Sequence, residues 1–129
     1  MTKLIEFLHQ NDVIYAVAMR VSGKHRDVFG KCETISEELS AELKKYNIDA
    51  KHVIGTFALD EPAGDRYSND ACTSGDLYKV EHDWVRVNGR ILDITAKQFR
   101  DDVWIEIPDI IYVDHSHPLY LKYNEMCEV

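Results

Sequence analysis

The stretch His82-Asp83-Trp84-Val85-Arg86-Val87-Asn88-Gly89-Arg90-Ile91-Leu92-Asp93 decides the fold. It predicts a β-hairpin. Val80, Trp84 and Val87 are apolar strand formers, and Asn88-Gly89 suits a tight turn whose two central residues take φ > 0. Ile91-Leu92 continues the return strand. A histidine lies near the start of the first strand and an aspartate at the end of the second. Antiparallel pairing about Asn88-Gly89 brings those ends together, so an imidazole and an orienting carboxylate meet on one sheet edge.

Working outward, the chain supplies a nucleophile. Cys32 follows Gly30-Lys31 and opens a segment in which Ile35, Leu39, Leu43 and Tyr46 recur at helical spacing. Thr34-Ile35-Ser36-Glu37 has capping-box form, which supports a helix start near Cys32. A thiol at a helix N-terminus meets unsatisfied backbone N–H groups and the positive end of the helix dipole, and both favour thiolate. Cys32, His82 and Asp93 therefore carry the chemistry and the chain order of a Cys-His-Asp nucleophilic triad.

Gly30-Lys31-Cys32 opening a helix, the following Asn47-Ile-Asp-Ala-Lys-His-Val-Ile-Gly55 segment, and His82 to Asp93 with Ile-Thr-Ala-Lys-Gln-Phe99 after it, together resemble the transglutaminase-like branch of the papain-like cysteine peptidase superfamily. The resemblance spans residues 28–100, with a weaker echo in Pro108-Asp-Ile-Ile-Tyr-Val113 and His117-Pro-Leu-Tyr120. The motif around His82 and Asp93 carries most of its specificity. It implies Cys32 as nucleophile, His82 as general base and then acid, and Asp93 as the group fixing the imidazole. It also implies acyl-transfer chemistry at amide bonds, shared by peptidases, transglutaminases, deamidases and amidases. Fold alone does not choose among them.

The chain has 129 residues, enough for one transglutaminase-like domain over 1–129 and short for two. Apolar content of 45% and charged content of 29% are ordinary for a soluble protein. A formal charge of −8 argues against a nucleic-acid surface, since phosphates would be repelled. The acidic residues are scattered, so solubility explains them better than a basic partner does. Cys32, Cys72 and Cys127 cannot all pair within the chain and show no short spacing, which suits reduced thiols and a cytoplasmic setting. The first residues lack a signal peptide's long apolar stretch, and no run approaches the roughly 18 apolar residues of a membrane span. No cofactor and no membrane partner are expected; the expected partner is a protein, peptide or small amide substrate.

Along the chain, residues 2–10 predict a short amphipathic helix, Asn11-Asp12 a cap or turn, and residues 13–22 a second helix. Cys32 to Tyr46 is helix, and residues 50–59 are strand. Residues 60–75, rich in Asp, Pro, Gly, Ser and Asn, predict a long loop able to lie over a site. Strands follow at 77–87 and 90–94, then a short helical turn or extended exit at 95–99. Another strand contains Ile110, Ile111 and Tyr112, with Pro108 arguing against a central position. The aromatic tail from Pro118 packs onto the sheet. The expected class is α+β: N-terminal helices, with the nucleophile helix packed on a mostly antiparallel sheet.

Trp84 lies two residues after His82 and shares its face. Core packing is its commoner role, and a wall of the substrate site is the alternative. Arg86 and Arg90 read as solvent-facing. An oxyanion hole needs a donor besides the Cys32 backbone N–H. Gln10 and Asn11 are the nearest upstream amides and His25 lies closer, yet none matches a known upstream motif. His115 and His117, with Cys72 or Asp114, offer a zinc reading without a third ligand at suitable spacing, so no metal is assigned. The leading expectation is a thiol hydrolase or acyltransferase. The alternative is a catalytically inactive binding module on the same scaffold.

Overall fold

Apolar residues three and four apart recur through the first twenty-odd positions, and in the computed structural model they form one long helix. The structure describes residues 2–63 and 77–129, with side chains from residue 9 onward. Helix α1 spans Thr2–Lys24 without a break at Asn11-Asp12. The two expected helices are one, and Ile14, Val17, Ala18 and Val21 form the buried stripe of its second half. Asn11 serves as a tether, not a cap: its Oδ1 accepts a hydrogen bond from Tyr112 Oη at 3.0 Å.

Helix α2 spans Cys32–Lys44. It starts at the cysteine, as the sequence predicts, but without a side-chain cap: Lys31 occupies the capping position, and the Thr34–Glu37 box lies inside the helix. Asn47, in the left-handed region at φ 60°, turns the chain out of it. Ile35, Leu39 and Leu43 are buried against the sheet and α1.

The sheet has five antiparallel strands in the order β4-β3-β2-β1-β5, with β1 Ala50–Ala58, β2 Lys79–Val87, β3 Arg90–Asp93, β4 Ile111–Val113 and β5 Tyr123–Glu128. Asn88 (φ 55°) and Gly89 (φ 70°) make the expected turn, in register Val87↔Arg90 and Val85↔Leu92. Alternation sorts the side chains. Val85, Val87, Leu92 and Tyr112 face the helices. Phe57, Val80 and Ile111 face away, under Phe99 of a 3-10 helix at Ala96–Asp102 and Leu119 of another at Pro118–Lys122. The tail does pack onto the sheet, as β5 beside β1. Gly55 permits this approach: a Cβ there would stand 2.0 Å from the Asn124 carbonyl oxygen and 2.5 Å from Trp84 Cη2.

The expected loop at 60–75 falls largely outside the described residues, as does Cys72. Among the described residues, no helix is long and apolar enough to cross a membrane.

Candidate functional site

The β2–β3 ladder ends at Val85↔Leu92, so the first half of β2 continues without a β3 partner. The start of α2 comes to β2 at this step. Consecutive strand residues point to opposite faces, so His82 and Asp83 leave β2 on opposite sides, and Cys32 meets both. Its Sγ lies 3.9 Å from Asp83 Oδ1. It is also near enough to His82 for its sulfur to favour the protonated ring. Cys32 itself is partly exposed.

Continuing the hairpin register by one step sets Asp93 opposite Trp84 and diagonal to His82. His82 Nε2 and Asp93 Oδ2 are 2.7 Å apart, and both side chains are essentially inaccessible to water. Asp93 accepts three further hydrogen bonds: from Thr95 N at 2.8 Å, Thr95 Oγ1 at 3.0 Å and Tyr123 Oη at 2.7 Å. Every lone-pair direction of the carboxylate is thereby occupied, which holds it ionised and fixed. The imidazole sits in an aromatic cage of Phe57, Phe99, Trp84 and Tyr123. Its remaining nitrogen, Nδ1, is buried and has no hydrogen-bond partner among the described residues.

Burial in this cage disfavours the charged imidazole, but the Asp93 charge and hydrogen bond, followed by Cys32, outweigh it and push the His82 pKa up to about 10. For Asp93, burial pushes the other way, and His82, Thr95 and Tyr123 together hold the carboxyl below its usual range. Burial and the Asp93 charge raise Tyr123 well above the usual phenol value, so it stays a donor.

A second histidine–carboxylate pair lies on the helix side of the sheet. His52 Nε2 is 2.6 Å from Asp83 Oδ2, and both residues are buried. Neither residue was singled out from sequence. The available signal was an Asp directly after the hairpin histidine, which alternation must send to the other face.

The remaining sequence candidates stand as follows. Trp84, only 1% exposed, supports the site from behind by packing against Tyr123, with ring centroids 4.9 Å apart. The upstream oxyanion candidates are engaged elsewhere: Gln10 accepts from Asn88, Asn11 from Tyr112, and His25 pairs with Glu38. Arg86 is held by Glu125 and Glu128, and Arg90 lies over the Tyr112 ring. His117 Nδ1 accepts from Leu119 N at 3.0 Å, and no group of three potential metal ligands occurs among the described residues. Two side chains missed from sequence join the site: Tyr123, which fixes Asp93, and Gln98, whose Oε1 accepts from Gly30 N at 3.3 Å. No protein-family model, curated protein or solved structure matches the chain.

Proposed function

We propose that this chain is a thiol enzyme of papain-like, transglutaminase-like type that attacks an amide or peptide carbonyl through Cys32, His82 and Asp93. One observation carries the reading. A fully buried imidazole has its Nε2 fixed on a saturated carboxylate, while its unpartnered Nδ1 lies beside a partly exposed thiol at a helix start. That order, sulfur then imidazole then carboxylate, is the one nucleophilic catalysis needs.

In the first half-reaction Cys32 reacts as the thiolate, its proton already resident on the imidazole that the Asp93 charge keeps protonated; Sγ bonds to the carbonyl carbon and the π pair moves to oxygen. Asp93 holds the ring and supports its positive charge. Collapse of the tetrahedral species breaks the C–N bond, and His82 returns the proton to the departing amine, leaving a thioester. In the second half-reaction His82 takes a proton from water as the oxygen bonds to the thioester carbon; collapse of that species breaks the C–S bond, releasing the carboxylic acid, and the sulfur and the proton on His82 restore the starting pair. Hydrolysis is the simpler outcome, because its second half-reaction needs only water. Transfer to an amine follows the same steps with nitrogen in place of water.

Intact-mass analysis after exposure to p-nitrophenyl acetate tests this. The wild type should gain one acetyl group, mapping to Cys32, that is lost again as acetate appears, and Cys32→Ala should gain none. A primary amine that speeds the loss and appears as its acetamide would assign acyl transfer over hydrolysis. Absence of a Cys32 adduct in the folded wild type would refute the reading and favour a binding module.

A further inference from the structure

The reading above needs a second donor for the oxygen that becomes negative, and Gln10, Asn11 and His25 are held elsewhere. The first turn of α2 offers the Cys32 backbone N–H, which has no intrahelical acceptor. Lys31 N–H is spent on Val28 O at 3.1 Å. Among the described residues, an unpaired side-chain donor lies across the step in the sheet. Gln98, on the 3-10 helix Ala96–Asp102, follows Asp93 by five residues and reaches back to the loop that carries Cys32.

The orientation of its carboxamide is fixed by chemistry. Gly30 N–H is a donor, so the atom it meets at 3.3 Å must be Oε1. Nε2 then points elsewhere, and it is buried with no hydrogen-bond partner among the described residues. An amide N–H buried and unpaired is costly to the folded state and calls for an explanation. Gly30 itself takes φ +71°, a conformation that side chains resist, and this sets the loop against Gln98. Among the described residues two buried side-chain nitrogens are unsatisfied: His82 Nδ1, on the ring that Cys32 meets, and Gln98 Nε2, on the side chain bonded to the loop two residues before Cys32, which can only give a hydrogen bond.

We propose that Gln98 Nε2, together with the Cys32 backbone N–H, forms the oxyanion hole for the tetrahedral species on Cys32. This rests on the proposed acyl chemistry and assigns it a residue from downstream of the nucleophile. The hydrogen bond from Gln98 strengthens as the carbonyl oxygen gains charge, so it acts on the transition state and hardly on ground-state binding.

The test compares acylation with alkylation at the same sulfur. p-Nitrophenyl acetate forms an oxyanion, whereas displacement of iodide from iodoacetamide does not. Gln98→Met removes the donor at similar size. Gln98→Leu removes it with a differently shaped apolar side chain, and so carries the test if the first variant folds poorly. Both should acylate Cys32 on the order of 10²-fold more slowly than wild type, with iodoacetamide labelling nearly unchanged. Unchanged acylation in a folded variant overturns the assignment. So does an equal fall in both reactions, which would make Gln98 a brace for the Cys32 loop. A wild type that is alkylated but never acylated overturns the acyl chemistry itself, and this assignment with it.

Discussion

His82–Asp93 and His52–Asp83 are the same pair of residue types at almost the same separation, 2.7 Å and 2.6 Å, on opposite faces of one sheet. Both reach the Cys32 thiol, but in opposite order. On the outer face the imidazole stands next to sulfur and the carboxylate lies behind it, anchored by Thr95 and Tyr123. On the helix face the carboxylate stands next to sulfur, and the imidazole lies behind. Only the first order allows proton transfer from a thiol. A carboxylate is far too weak a base for that step, and its negative charge opposes a thiolate forming beside it. The residue pair alone therefore does not define a catalytic site; its order relative to the nucleophile does. The second pair reads as a buried strut joining β1 to β2 under the start of α2.

The sharpest break of this comparison is the matched pair Asp93→Asn and Asp83→Asn. Asp93→Asn puts an amide against His82 Nε2 and favours the wrong tautomer. The equivalent change in the serine-protease template costs about 10⁴ in turnover. A thiol is a better nucleophile, so Cys32 acylation should fall by less than that, yet by far more than for any change on the other face. Asp83→Asn should leave acylation equal to or faster than wild type and lower the thermal midpoint, because it weakens a buried pair. Equal losses from the two variants would erase the distinction between the faces.

Tyr123→Phe is a milder probe of the same anchor. It removes one hydrogen bond to a buried charge, typically worth about 1.5–3 kcal/mol. Stability should fall by that order and acylation by up to about tenfold, both read from melts and from acetylation rates. An unchanged melt would mean that Asp93 is held without it.

A separate probe of the same pair is pH. In the folded protein His82 holds its proton to about 10, against 6.5 in an unperturbed imidazole. Below 6.5 both folded and unfolded chains carry the proton, and the stabilisation is present in full. Between 6.5 and about 10 the unfolded chain binds fewer protons, so stability falls as pH rises. His82→Gln should lose this alkaline decline in urea melts. If wild type and variant decline alike, the proton is not held at His82.

The hairpin and the start of α2 were legible because their signals are local. Asn88-Gly89 fixes both turn and register, and Ile35, Leu39 and Leu43 fix the buried face of the helix. The His82–Asp93 contact follows from register arithmetic across that turn. Tyr123, Gln98 and His52 were not legible, because each joins the site through long-range pairing. Gln98 meets Gly30 across 68 positions, and Tyr123 meets Asp93 across 30. A period-two pattern marks a strand without naming its neighbour, so the placement of β5 beside β1 could not be read from it. The continuity of α1 was missed because Asn11-Asp12 looks like a cap when the Tyr112 hydroxyl that holds Asn11 is out of sight.

The central claim is that His82, and not the His52–Asp83 pair, activates Cys32. Its most direct test is the rate of iodoacetamide labelling at Cys32, followed by peptide mapping near pH 6.5, in wild type, His82→Gln and His52→Gln. His82→Gln should label at least about tenfold more slowly than wild type, as befits a thiol that has lost its proton acceptor, while His52→Gln keeps the wild-type rate. The reverse ranking, or three equal rates in folded proteins, would contradict the assignment.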